Sequence, residues 1–327
     1  MDERISAADF ETAREELLGL GNPTFTALEL AEKTGISVED AKRIWRALGF
    51  VERPVDEVFF TKQDLSVLQT MADFIRAGIA DLDTIVSMTR TFSQSVARIA
   101  EAEAEVMRDR VRMEGAAISP EEAAQILPVL VPALELFLTH AWRRHLEAAL
   151  ARVQVFDTAA ADEVKIIGFA DLVGFTRLSL EIDETELSRI VEELEARAQD
   201  IISTHGGRVV KMIGDEVMFV AADPSAAATM ALDLASLEIA DSPLRLRGGL
   251  AFGPVISQRG DFFGPVVNLG RRAASAARSQ SILVTEDVRN ELADSPDFYL
   301  KEIPTRRLKG FGPTRLWVLR RSTAESS

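Results

Sequence analysis

Apolar side chains recur at helical spacing through much of the first 160 residues. Leu65, Leu68, Met71, Ala72, Ile75 and Ile79 fall on one face of a helix. Further upstream, residues 24–66 predict two short helices, with Gly35 closing the first and Ser37 capping the second. Glu39 and Asp40 stand in the first turn of that second helix, where its dipole favours acidic groups. From Pro120 to Leu150, the residues Leu127, Leu130, Leu134, Phe137, Leu138 and Trp142 form an apolar stripe broad enough for burial against another helix or a second chain. Past residue 160 the texture changes. β-rich runs at Val164–Phe169, Val209–Ile213, Val217–Val220, Leu244–Phe252, Ser281–Thr285 and Arg315–Leu319 alternate with helical patterns at Glu184–Ser203 and Ala226–Ser236. This order predicts an α+β chain: an all-helical first domain over 1–160, a domain of helices on one sheet over 161–321, and a frayed tail at 322–327. The boundary falls in the Ala-rich stretch Thr158–Ala161.

Charge narrows the range of partners. The 327 residues hold 37 Lys and Arg against 52 Asp and Glu, a net charge of −15. Residues 24–66 resemble the helix-turn-helix and wing of MerR-type DNA readers, yet they carry six basic and eight acidic residues. A groove reader presents a basic face to phosphates, so the balance argues against nucleic acid as a partner. No membrane span is expected. The most apolar run, Ile126 to Leu134, contains Pro128 and Pro132 and ends at Glu135, far short of the roughly 20 residues a span needs. The acidic first residues lack a signal core, and the expectation is a cytoplasmic protein. Absence of cysteine excludes a disulfide framework, a Cys-ligated metal and a thiol nucleophile. Two of the three histidines, His140 and His145, lie beside Arg143 and Arg144 just before the boundary. Such a pair titrates near neutrality and could sense acidity; the plainer reading is two partly exposed helix-end histidines.

Three segments of the second domain carry candidate chemistry. FADLVGFTRLS (169–179) places Asp171 at the end of an apolar strand, Gly174 at a tight turn, and backbone N–H groups before a helix, an arrangement that suits phosphate. RVVKMIGDEVMFV (208–220) reads as two strands joined by Gly214-Asp215-Glu216. Two strand-end aspartates can bridge hard divalent cations, and magnesium favours one or two carboxylates plus phosphate oxygens. Taken singly, each of these aspartates could equally be turn chemistry. GDFFGPVVNLGRRAASAA (260–277) predicts a helix from near Val266, on which Asn268 and Arg272 share a face.

Together, in this order and spacing, the three segments resemble the class III nucleotidyl cyclases over about residues 162–321. The resemblance implies a ferredoxin-like βαββαβ catalytic domain. It also implies Asp171 and Asp215 as ligands of two Mg²⁺ or Mn²⁺ ions, Lys211 and Asp261 as the adenine-selecting pair, and Asn268 and Arg272 as the transition-state pair. Lys309, in LKGF, matches a basic residue that neutralises phosphate in relatives. The family builds its site between two catalytic domains, and this chain has both residue sets, which implies a homodimer that cyclises ATP to 3′,5′-cyclic AMP and pyrophosphate. A soluble helical domain ahead of the catalytic one resembles the regulatory domain of actinobacterial cyclases, several of them pH-responsive, with residues 137–163 as connector. Two alternatives stand beside this. One is a non-catalytic nucleotide-sensing or DNA-linked regulator with a degenerate cyclase domain. The other is a diguanylate cyclase, suggested by IGDEV but lacking that family's doubled glycine.

Overall fold

A computed structural model of the chain describes residue 18 and residues 21–114, 120–152, 163–239 and 242–322. The chain divides into two units, residues 1–156 and 157–327. The expected boundary at Thr158–Ala161 lies outside the described residues, as do residues 153–162 of the connector and 323–327 of the tail.

The first unit is helical. Helix α1 (Ala27–Thr34) starts on a capping box: the Thr26 hydroxyl accepts from the Glu29 N–H at 3.2 Å, and Glu29 accepts from the Thr26 N–H at 2.8 Å. Gly35 closes it in the left-handed conformation, and Ser37 caps α2 (Val38–Ala47) by accepting from the Asp40 N–H at 3.1 Å. A single bridge, Phe25 to Phe60, makes the wing, and Trp45 packs edge-on against Phe59 and Phe60. Helices α3 (Lys62–Arg76), α4 (Leu82–Glu114) and α5 (Pro120–Arg152) follow. Leu30, Ile44, Leu68, Ala72, Ile85 and Val86 form the core. The apolar stripe expected on α5 is divided: Leu130, Leu134 and Leu138 are half-buried, whereas Phe137 is 71% and Trp142 53% exposed, and Val129, Leu136 and Leu150 of the same helix are exposed too. The side chain of Leu127 lies outside the described residues.

The second unit is a mixed sheet between helices. Its elements are β1 (Glu163–Leu172), the single turn α6 (Phe175–Leu178), α7 (Glu184–Thr204), β2 (Arg208–Ile213), β3 (Glu216–Ala221), α8 (Pro224–Ala235), β4 (Leu246–Gln258), β5 (Asp261–Phe263), α9 (Pro265–Ala276), β6 (Ile282–Val284), α10 (Glu286–Glu291), β7 (Phe298–Glu302), β8 (Arg306–Leu308), β9 (Gly312–Thr314) and β10 (Trp317–Arg321). The sheet order is β2-β3-β1-β4-β6-β10-β7, with β5 paired to β4 and β8-β9 forming a separate ribbon. The first four strands with α7 and α8 reproduce the βαββαβ arrangement, β1 lying antiparallel to both β3 and β4. The pleat divides β1. Ile166, Ala170 and Leu172 join the core under α7 and α8, whereas Ile167 and Phe169 join the core under α9.

Helix α9 lies unusually close to the sheet, and two glycines explain how. A Cβ on Gly249 of β4 would stand 2.2 Å from the Ala274 nitrogen, so no larger residue fits there. Gly270, a helix-weakening residue by propensity, faces β1, where a Cβ would come within 3.3 Å of the Ile167 carbonyl oxygen.

Candidate active site

The sheet register assembles a row of charges on the face beneath α9. Asp171, two residues beyond Phe169 on β1, pairs across the sheet with Glu216 on β3 and with Arg247 on β4. Arg247 donates twice to Asp171 Oδ2, from Nη2 at 2.6 Å and Nε at 2.9 Å, and its Nη1 donates to the Ser275 carbonyl at 3.1 Å. Arg271, on α9, brings Nη2 within 2.8 Å of Glu216 Oε2. Burial raises the Glu216 carboxyl above the usual carboxylate range, and the Arg271 charge pulls it back only in part.

Asp215 sits at the tip of the β2–β3 hairpin, and its carbonyl accepts from the Leu172 N–H at 3.3 Å, fastening the tip to the end of β1. Its carboxyl is pushed up to about 6, first by burial and then by the neighbouring Asp171 charge. Asp215, whose negative charge is opposed in this way, and Asp171 beside it offer hard oxygen donors of the kind that suit a divalent cation. Among the described residues no group of three or more His, Cys, Asp or Glu side chains gathers to form a closed metal cage.

Beside this row lies a cavity of about 200 Å³ lined by Phe169, Lys211, Met218, Phe262, Val267, Asn268 and Arg271, among others. Lys211 reaches it because β2 carries a bulge between Val209 and Lys211. Val209 pairs with Phe219, so a regular ladder would set Lys211 opposite Val217, inside the apolar core. The bulge sets it opposite Met218, on the α9 face. There its ammonium pairs with Asp261 Oδ2, while Asp261 Oδ1 accepts from the Phe262 N–H at 2.8 Å. Arg208 steadies the arm that carries Asp261: it donates to the Gly260 carbonyl at 3.3 Å and stacks 5.4 Å from the Phe262 ring centre.

The sequence-predicted residues thus fall into groups. Asp171 and Asp215 come together, Lys211 and Asp261 come together, and Asn268 lines the same cavity as Lys211. Arg272 is exposed and does not line that cavity; Arg271, its neighbour, does. Lys309 is exposed in the turn between β8 and β9. His140 and His145 are exposed on α5, and an Arg144–Glu147 ion pair at 2.8 Å brackets His145 in sequence. The helix that follows Asp171, α6, has only four residues, so the backbone N–H groups at the Gly174 turn act without the summed dipole of a long helix.

Sequence reading missed Arg247, Glu216 and Arg271. Arg247 is one of two charges, with Arg245, inside the apolar run Leu244–Phe252, and Glu216 directly follows Asp215. Arg271 had no signal that distinguished it from Arg272. The first unit holds a larger cavity of about 500 Å³, whose lining includes Leu30, Trp45, Phe60 and Phe92, with Lys42, Glu52, Arg53 and Asp64 among the charged residues.

Residues 156–321 match the adenylate and guanylate cyclase catalytic domain, and residues 2–148 match the adenylate cyclase regulatory domain. Among similar curated proteins, an adenylate cyclase of Glutamicibacter nicotianae is 34% identical over 97% of this chain and 85% of its own length. An adenylate cyclase of Streptomyces coelicolor is 36% identical over 84% of this chain and 73% of its length. A pH-sensitive adenylate cyclase of Mycobacterium tuberculosis is 30% identical over 96% of this chain and 82% of its length. With a catalytic sheet of this topology, the chain belongs to the adenylate and guanylate cyclase family and carries that family's adenylate cyclase regulatory domain ahead of the catalytic one. No helix among its described residues is long and apolar enough to cross a membrane.

Proposed function

We propose that the chain is an adenylyl cyclase that converts ATP to 3′,5′-cyclic AMP and pyrophosphate at sites completed by two copies of the catalytic unit. The ribose 3′-hydroxyl gives its proton to solvent water as its oxygen forms a bond to the α-phosphorus, and the bond from that phosphorus to the pyrophosphate oxygen breaks. The observation that carries this reading is the meeting of Asp171, at the end of β1, with Asp215, at the β2–β3 hairpin tip that is fastened to β1, where burial and Asp171 oppose the Asp215 charge. Two Mg²⁺ or Mn²⁺ ions, when bound by these carboxylates, would supply the charge that acidifies the ribose hydroxyl and neutralises the leaving pyrophosphate.

The remaining roles belong to side chains of the chain itself. Lys211 donates to the purine N1 and Asp261 accepts from the 6-amino group, a polarity that matches adenine and opposes guanine. In the free protein the two satisfy each other, so an entering adenine edge exchanges one ion pair for two hydrogen bonds. Together with Lys211 and Asp261, Asn268 and Arg272 serve the site whose metal aspartates come from the paired copy, orienting the ribose and stabilising the charge that develops on the phosphate. The exposure of Arg272 in a single chain agrees with that role. Lys309 is a further phosphate-neutralising cation. The exposed Phe137 and Trp142 of the α5 stripe, with exposed Val129 and Leu136 on the same helix, support a second copy as the partner of the helical unit as well.

The test is an assay of the full chain with ATP or GTP and with Mg²⁺ or Mn²⁺. Cyclic AMP forms from ATP and is lost in Asp171→Ala; absence of cyclic nucleotide with either metal defeats the proposal. The first unit modulates this activity, and acidity is its input through His140 and His145, which sit among Arg143, Arg144 and Glu147. Replacing both histidines by alanine should flatten the pH response of the full chain. An unchanged pH–rate profile rejects the pair as the sensor.

A further inference from the structure

We propose that Arg271 is a positioning residue, which cancels the charge of buried Glu216 and so leaves Arg247 committed to Asp171. The inference rests on the cyclase reading, in which Asp171 is a metal ligand, and adds to it a pair of residues with no assigned part.

The argument starts from the register. Glu216 and Asp171 are direct cross-strand partners on adjacent strands, an arrangement in which like charges repel. The Glu216 side chain is only 8% exposed, and its Oε2 has no aligned hydrogen-bond donor. Water therefore does little for this carboxylate, and nearby cations must. Two arginines act on it: Arg271 at 2.8 Å, and Arg247 more weakly from across the row. Arg247 is the same group that donates twice to Asp171. The row thus contains two carboxylates and two arginines, and Arg271 decides how the cations are shared. Without it, Glu216 is left to draw on Arg247, and Asp171 loses the donor that fixes its Oδ2. Arg271 can also hold α9 to the β2–β3 hairpin, because Glu216 directly follows Asp215 at the hairpin tip.

Arg271 also lines the cavity with Lys211 and Asn268 and is half exposed, so direct contact with nucleotide is the competing role. A double-mutant cycle separates the two. Rates of cyclic AMP formation by the full chain are measured against ATP and against Mn²⁺ for wild type, Arg271→Met, Glu216→Gln and the double variant. Positioning through Glu216 predicts that Arg271→Met lowers kcat and raises the half-saturating Mn²⁺ concentration about tenfold, with KM for ATP little changed. Adding Glu216→Gln brings both values back to within about threefold of wild type, since the carboxylate that needed the arginine is gone. A double variant as impaired as Arg271→Met, or an unaffected Arg271→Met, overturns the proposal. Melting temperatures of the same four proteins give a readout independent of catalysis: Arg271→Met lowers the value and Glu216→Gln reverses the loss. If the wild type forms no cyclic nucleotide, the cyclase reading fails, whereas the Arg271–Glu216 coupling stands or falls on the melting temperatures. If Arg271→Met does not fold, Arg271→Lys takes its place; retention of charge then predicts near-normal Mn²⁺ dependence, and a tenfold rise overturns the idea.

Discussion

At the residue scale, Asp215 shows a carboxylate whose surroundings cost stability. Its folded-state carboxyl titrates near 6, well above the ordinary value of 3.8, because burial and Asp171 both oppose its charge. Between these two values the folded chain binds more protons at this group than the unfolded chain does. Stability therefore falls as pH rises through the window, and the penalty is fully present above about 6. Asp215→Asn keeps the shape and removes the charge. In the presence of a chelator it should melt a few degrees above wild type at pH 7.5, with the difference vanishing near pH 4. Equal melting at pH 7.5 would mean that the carboxylate is not under strain. Here the sequence announced the residue, since a Gly-Asp-Glu turn between apolar strands is visible, but not its environment. Lys211 illustrates the same division. Its identity was legible, while the bulge that turns it from the core to the cavity is a property of strand pairing.

At the scale of elements, the site depends on how closely α9 approaches β4 and β1. Gly249 and Gly270 make that approach, but they are not equivalent. A methyl on Gly249 meets backbone atoms at 2.2 to 2.8 Å and cannot be accommodated without lifting the helix, so Gly249→Ala should destabilise by about 1–3 kcal/mol. A methyl on Gly270 meets its nearest neighbour at 3.3 Å, and alanine is favoured in a helix by about 1 kcal/mol, so Gly270→Ala should be close to neutral. Chemical denaturation of the two variants checks the order; equal losses would show that the helix does not seat as described. Most strands and helices were legible from periodicity, because each has one face in a core. The strands β5, β7, β8 and β9 were not, three of them being only three residues long. Such short pieces take their conformation from the neighbour they pair with, and their own sequence carries too few alternations to declare it.

For the whole molecule, the two residue sets predict complementation. Asp171→Ala and Arg272→Ala chains should each be inactive alone, since each spoils both sites of a symmetric dimer in a different half. Mixed, half of the dimers carry one variant of each kind, and each of these keeps one intact site. The mixture should recover about a quarter of wild-type activity. No recovery on mixing, with dimers demonstrated, would mean that the two sets do not meet across copies.

The sequence alone determined what depends on local chemistry: a helical unit, an α+β unit, the strand-end aspartates, the glycine turns, and a chain without thiols. These follow from periodicity and residue type, which act over a few positions. Tertiary structure decided which charges become neighbours. Glu216, Asp171 and Arg247 lie on three strands and are joined only by register, and Arg271 is distinguished from Arg272 by its contact with Glu216 across from α9. Electrostatic energy depends on distance in space and on burial, and neither is a property of position along the chain.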